Sequence, residues 1–276
     1  MDDFIFLDTN FEYSQTKEYH LSIQVSLDGF SFSIHQSESG NCLALKKGKI
    51  AEGANGKPEE LILKNLLNEE MFNKSFQSVS TLWVTPKVSL IPTDIFSESL
   101  AESSLKLCHP IQKDEKVIWT EHPELKSNWV FSIPESIWQF LTLQFPGVEI
   151  HHHLFPFATE ALTFKPANHP SVYIHAEQNY IAIFIPEKEG KHFFNTFTFQ
   201  NTADLVYYIL NVFDQRRLNA GQSKLYFSGV IEEGDNVHSL LKKYIFRTEM
   251  LPIKRSGKIT FQGQSKNQFI NLLNHY

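Results

Sequence analysis

Leu21-Ser22-Ile23-Gln24-Val25-Ser26-Leu27-Asp28-Gly29-Phe30-Ser31-Phe32-Ser33-Ile34 decides how the rest of the chain is read. Apolar residues fall on every odd position from Leu21 to Leu27, the two-residue period of a half-buried strand. Asp28-Gly29 is a hairpin signal, and Phe30 to Ile34 alternates again as a second strand. Ser37 to Gly40 predicts a further turn, and Cys42-Leu43-Ala44-Leu45 a third strand. Downstream, Gly53, Gly56 and Pro58 punctuate a loop, and Leu61, Ile62, Leu66 and Leu67 take helical spacing between Glu59 and Phe72. Ser80 to Val84 reads as a fourth strand. Pro92-Thr93-Asp94 opens a helix to about Leu107, with Thr93 or Asp94 as its cap. Upstream, residues 1–20 form a polar, acidic lead-in carrying Asp2, Asp3, Asp8, Glu12 and Glu18.

The second half repeats that order. Val172 to His175 and Tyr180 to Ile185 are strands around a turn at Glu177-Gln178-Asn179, and Phe193 to Phe199 is the third strand. Asn201 opens a helix with Leu205, Val206, Ile209, Leu210 and Phe213 on one face. Lys224 to Ser228 is the fourth strand, Val237 to Tyr244 a helix, Phe246 to Ile253 a fifth strand and Asn267 to Tyr276 a closing helix. Between the copies lie a strand at Asn128–Ile133, a helix at Pro134–Phe145 and a strand at Val148–His153. Three antiparallel strands, a crossover helix, a strand and a helix, occurring twice, are a supersecondary repeat. The expected organisation is a lead-in (1–20), a first α/β lobe (21–155) and a second (156–276).

Composition closes off several classes. The chain has 276 residues, 42% hydrophobic and 20% charged, which excludes a disordered polymer. Its formal charge of −6 argues against a general nucleic-acid binder. Cys42 and Cys108 carry no metal spacing. The acidic Met1-Asp2-Asp3 start is not a secretory signal, and no apolar run reaches the ~18–20 residues of a membrane span. A cytoplasmic protein without membrane contact is expected.

The order of elements resembles each half of the actin, Hsp70 and sugar-kinase superfamily, whose paired ribonuclease-H-like lobes clamp ATP between them. Leu21 to Ile34, Ile91-Pro92-Thr93-Asp94-Ile95-Phe96 and Phe194 to Gln215 resemble, more closely, a group of uncharacterised bacterial proteins with an actin-like ATPase fold and no assigned activity. The resemblance implies two duplicated ribonuclease-H-like lobes and a nucleotide cleft. The superfamily turns the first hairpin of each lobe with Asp-x-Gly-Ser/Thr, where the Asp handles magnesium or water and backbone N–H groups hold phosphate. Here the first hairpin has Asp28 and Gly29 adjacent. The second places His175 where the Asp belongs, followed by Glu177 and no glycine. The adenosine motif is reduced to Ser228-Gly229 before Val230 and Ile231. With all three motifs degraded, the resemblance implies the fold without the ATPase.

Other motifs are sparse. The 12 glycines never occur as Gly-x-Gly, so the dinucleotide fingerprint is missing. Gly48-x4-Gly53 and Gly229-x4-Gly234 have P-loop spacing, but Ala54 and Asp235 stand where Lys is needed. His151 and His153 share one strand face with Glu149, either as two metal ligands or as surface or inter-lobe histidines; the latter is the better reading, and no metal site is assigned. His175 and Glu177 form either an acid/base pair or a capped turn with an exposed Glu. Cys108-His109 suggests a thiol nucleophile, but Cys108 at the end of an apolar helix reads better as core. Lys242, Lys243, Arg247, Lys254, Arg255, Lys258 and Lys266 face Glu249 alone in one basic stretch, a site for an anionic partner or simply a solvated surface.

Three functions follow in order. The first is a non-catalytic scaffold that binds another protein and needs no cofactor. The second is a divergent ATPase with Asp28 and Glu177 as an acidic pair across the cleft. The third is an accessory to nucleic-acid processing through the basic stretch.

Overall fold

The computed structural model describes residues 4–49, 56–164, 170–187, 192–252 and 266–275. Strand β1 (Phe4–Leu7) lies inside the stretch read as a polar lead-in. It is followed by β2 (Tyr19–Ser26), β3 (Gly29–Gln36), β4 (Cys42–Lys49), α1 (Pro58–Leu67) and β5 (Ser78–Trp83). Then come β6 (Val88–Pro92), α2 (Glu98–Cys108), β7 (Glu115–His122), β8 (Ser127–Pro134), α3 (Glu135–Gln144), β9 (Glu149–His152) and α4 (Phe155–Thr163). The second half holds β10 (Ser171–Ala176), β11 (Tyr180–Ile185), β12 (Phe193–Thr198), α5 (Thr202–Gln215), β13 (Lys224–Gly229), α6 (Asn236–Leu241), β14 (Thr248–Met250) and α7 (Ile270–Leu273).

The first sheet has the order β1-β4-β3-β2-β5-β9, and the second the order β12-β11-β10-β13-β14. In each, three antiparallel strands are extended by two parallel ones, as β2 and β5 or β10 and β13 pair side by side. With β1 set aside as an added edge, the two sheets share one topology, so the chain is a duplicated α/β fold of two ribonuclease-H-like lobes.

Three departures from the sequence reading have physical causes. The β2–β3 turn is Leu27-Asp28, because Ser26 pairs with Gly29 and makes the glycine the first residue of β3. Gly29 serves close packing there, since a Cβ would lie 3.0 Å from the Gly48 carbonyl oxygen. The helix expected from Thr93 or Asp94 begins at Glu98, after Ser97. Residues Thr93–Ile95 form a 3-10 turn, since β6 pairs with β8 through Pro92 and the chain must leave that sheet first. This helix belongs to a small inserted sheet, β6-β8-β7. The first-lobe helix that matches the repeat is α3.

The alternation in β2 also misleads. All its residues from Tyr19 to Ile23 are buried, polar ones included. The reason is an exchange of helices between lobes. Helix α4 follows the first sheet but packs Phe157 on His175 of β10, ring centroids 5.6 Å apart. Phe164, just beyond it, meets Tyr226 of β13 at 5.0 Å and accepts a hydrogen bond from Tyr173 Oη at 2.9 Å. Helix α7 follows the second sheet but covers the polar face of the first, where Ser33 Oγ donates to the Leu272 carbonyl at 3.4 Å. One apolar core runs through both sheets, from Leu21, Ile23 and Phe32 to Tyr173, Phe184 and Tyr226. No helix among the described residues is long and apolar enough to cross a membrane. Of the basic stretch, Lys254, Arg255 and Lys258 lie outside the described residues.

Candidate functional site

A cleft of about 820 Å³ opens where the two first hairpins face each other, lined by Ser26 to Gly29 on one side and Glu177 to Tyr180 on the other. Asp28 and Glu177 therefore do share one cavity. In the first hairpin the two-residue turn leaves Asp28 exposed, and the Ser26 hydroxyl donates to its carboxylate and also reaches the Gly29 carbonyl at 3.0 Å. The cation Lys87 is already committed, with Nζ 2.7 and 2.8 Å from the two carboxylate oxygens of Glu115. Glu59 and Asp114 add further negative charge against Lys47. Such a lining repels a bare polyphosphate.

The second hairpin is anchored from beneath. His175, on β10, is buried; its Nδ1 lies 2.9 Å from Ser228 Oγ on β13, and its Nε2 lies 3.2 Å from Glu177 Oε1. His153, one residue past β9, comes from the other lobe. Its Nε2 lies 2.6 Å from the Tyr180 hydroxyl and stands 3.8 Å from the same Glu177 oxygen. Burial and the neighbouring His152 and His175 hold the His153 ring well below the usual histidine range. Burial, with the Glu177 and Asp28 carboxylates, pushes the Tyr180 phenol well above its ordinary value. The ring of His153 is thus neutral and the phenol protonated, which fits their hydrogen bond.

Gly229 adjoins this cluster for a backbone reason. Its φ is +88°, and a Cβ would fall 2.0 Å from the Ala176 carbonyl oxygen. Val230 N–H donates to that oxygen at 2.9 Å. The residue that stands for the adenosine motif therefore closes β13 against β10. Gly48, in the first glycine pair with P-loop spacing, is likewise taken up by packing, beneath the Phe30 ring; Gly53 lies outside the described residues.

The His151–His153 triplet is split. His151 Nδ1 lies 2.7 Å from His275 Nε2, and its own Nε2 is 3.6 Å from Glu149. His152 points the other way, to the Thr85 carbonyl at 2.8 Å, and burial lowers its pKa to about 3. His153 leaves the strand and joins the cleft cluster. A second polar network thereby forms under α7: His20 bonds Ser78 at 2.7 Å and Ser80 at 2.9 Å, and Ser80 reaches His275 at 3.1 Å. Sequence reading missed His275, His20, Tyr180 and Asn271. The serines on the polar positions of β2 and β5 beside His20 were the signal available for that residue. Cys108, expected in the core, is exposed, and its neighbour His109 turns inward to the Val88 carbonyl at 3.1 Å. Cys42 is the buried thiol, pushed up to about 12 by desolvation.

Two sheets of one topology, with their first hairpins facing a shared cleft, define an actin-like ATPase fold. The chain belongs to the DUF3822 family, proteins of unknown function, whose family model matches residues 8–247. It is similar to a Bacteroides thetaiotaomicron protein described as having an actin-like ATPase fold and unknown function. That structure superposes with a TM-score of 0.79 at 23% identity over 87% of this chain and 93% of the other. It is also similar to a structure of the PilM-PilN type IV pilus biogenesis complex, with a TM-score of 0.60 at 12% identity over 92% and 96% of the two chains. No match was found among curated proteins.

Proposed function

We propose that this chain is a pseudo-ATPase, a non-catalytic member of the actin-like fold that acts by binding another protein. The observation that carries this reading is the state of the second hairpin. Where a phosphate-binding turn needs free N–H groups and a close backbone, this one has no glycine. The Glu177 N–H is bonded to the Tyr180 carbonyl at 2.9 Å, and the Glu177 side chain faces two buried histidines. The acidic lining adds to the argument. A neighbour of the same fold is known from the PilM-PilN complex, which supports a protein partner for this chain. The inserted sheet supports it too, since Ile95, Leu100, Leu107 and Trp119 around it are exposed. We read 21–155 and 156–276 as the two units, joined by α7 returning to the first sheet, in a cytoplasmic protein.

A thermal-shift titration with ATP, ADP and magnesium tests the reading. A ligand at 100-fold over its Kd adds about 2.7 kcal/mol of stability, so no shift at millimolar nucleotide is expected. A shift that Asp28→Ala removes favours the second reading, a divergent nucleotide-binding protein. The size of the cleft and the presence of both Asp28 and Glu177 on its walls speak for that alternative.

A further inference from the structure

The cluster beneath the second hairpin has a chemistry that neither a scaffold nor an ATPase requires. We propose that His153, His175 and Glu177 bind one divalent transition-metal ion of the zinc type at the junction of the two lobes. Among the described residues they are the one group of three or more His, Cys, Asp or Glu whose donor atoms all lie within 4.8 Å of one another. A tetrahedral ion with bonds of about 2.0–2.1 Å keeps its donors about 3.3 Å apart. Glu177 Oε1 is 3.2 Å from His175 Nε2 and 3.8 Å from His153 Nε2.

Hydrogen bonding independently prepares these atoms as ligands. Ser228 Oγ donates to the Ile174 carbonyl at 3.2 Å, which can only accept, so the Ser228 hydroxyl proton is committed. His175 Nδ1–H must then be the donor in the 2.9 Å contact with Ser228 Oγ. With Nδ1–H committed to Ser228, Nε2 is the atom that faces the site, 3.2 Å from Glu177 Oε1 and 3.1 Å from Asn271 Nδ2. A serine on the far nitrogen that fixes the tautomer is the outer-shell arrangement of metal-bound histidines. The second ring presents the same atom to the site, its Nε2 lying 2.6 Å from the Tyr180 hydroxyl, which an incoming ion would displace. Asn271 Oδ1 is buried with no partner, while Asn271 Nδ2 sits 3.1 Å from His175 Nε2. Turning that amide about its last bond exchanges the two atoms and aims a neutral oxygen at the same point. Glu177 and Tyr180 line the open cleft, which gives the ion its route in.

Two imidazoles and one carboxylate favour zinc or cobalt over calcium or magnesium. His153 belongs to the first lobe and the other two to the second, so a bound ion would tie the lobes together and link metal uptake to stability. The test uses the full chain, stripped with a chelator and titrated with Co²⁺ by visible absorption, then loaded with Zn²⁺ and assayed for metal after gel filtration. One ion per chain is expected, with the strong visible bands of four-coordinate cobalt. Glu177→Gln should weaken Co²⁺ binding at least tenfold while the metal-free melting temperature stays close to wild type. His153→Gln should weaken it at least as much, and His151→Gln, in the neighbouring network, should leave it unchanged. Substoichiometric uptake overturns the proposal, for then the cluster holds only a shared proton. Full uptake that survives both Glu177→Gln and His153→Gln also overturns it, because the ion then sits elsewhere.

Discussion

The hairpin joining β2 to β3 and the hairpin joining β10 to β11 occupy the same place in their sheets, and both look into one cleft. The first is held by neighbours in sequence: Ser26 bonds Asp28 and Gly29, all within three residues. The second is held by residues far apart in the chain, with His153 from the other lobe, Ser228 from β13 and Asn271 beside α7's start. Duplication of the backbone has therefore not duplicated the site. One hairpin is a surface turn that can change without disturbing the fold, and the other is part of the packing between lobes. A change of sequence therefore has different consequences on the two sides of the cleft.

The largest test of that contrast lies at the end of β13. Gly229→Val puts a branched side chain at φ +88° and a Cβ onto the Ala176 carbonyl. A loss of more than about 4 kcal/mol, or failure to fold, is expected in urea unfolding. Gly234 has the same φ of +88° with open space around it, so Gly234→Ala should lose only about 1–2 kcal/mol. Equal effects at the two glycines would mean that backbone strain alone matters and that the second hairpin is no tighter than a surface loop.

Next in size are the exchanged helices. Phe157 of α4 is fully buried against His175, and Phe157→Ala should cost about 3–5 kcal/mol. Leu272 of α7 is equally buried under the first sheet, and Leu272→Ala should cost about 2–5 kcal/mol. Both variants should keep a single unfolding transition, because one core runs through both lobes. Two separated transitions would show the lobes to be independent and would remove the inter-lobe anchoring of the second hairpin.

These helices also mark where sequence reading stopped. Strands such as Tyr180–Ile185 were legible because dense β-branched and aromatic residues have no other low-energy arrangement, and α5 because its apolar face keeps one period over fourteen residues. Helix α4 was not legible: Pro156 and three aromatic or apolar residues on several faces give it no single stripe, as befits a helix buried between lobes. The edge strands β6 and β7 alternate weakly because the inserted sheet is partly exposed. Of the site, His175, Glu177, Ser228 and Gly229 stood out as degraded motif positions and do lie together. Their partners His153, Tyr180 and Asn271 could not be found by spacing, since three different elements bring them there.

Acid sharpens the comparison from another side. His35 is pushed down to about 4 and His152 to about 3 by burial, from an ordinary value of 6.5, and burial lowers His275 as well. The unfolded chain thus binds more protons than the folded one between pH 6.5 and these lower values. Their contribution is complete above about pH 6.5 and is lost as pH falls towards 4, at up to about 1.4 kcal/mol per pH unit for each ring. The denaturation midpoint should fall between pH 7 and pH 5, and His35→Gln should flatten that fall by about one ring's share. His35 bonds Ser33 at 2.8 Å beneath the first sheet, so a flattened slope would place acid sensitivity under α7 as well as at the cleft. An unchanged slope would leave it to the other buried histidines, His152 and His275 among them.

The smallest effect is the most discriminating. Asp28 is exposed and its partner in the turn, Ser26, is two residues away, so Asp28→Ala should change unfolding free energy by no more than about 0.5 kcal/mol. Asp28 also adds to the field that raises the Tyr180 phenol, but burial and Glu177 act more strongly there. Its removal should therefore leave the Tyr180–His153 bond in place, visible as an unshifted downfield hydroxyl resonance. A loss above about 1.5 kcal/mol, or a moved resonance, would mean that the two hairpins are coupled across the cleft. The first would then be an anchored half of the site, and the asymmetry argued from their hydrogen bonds would fail.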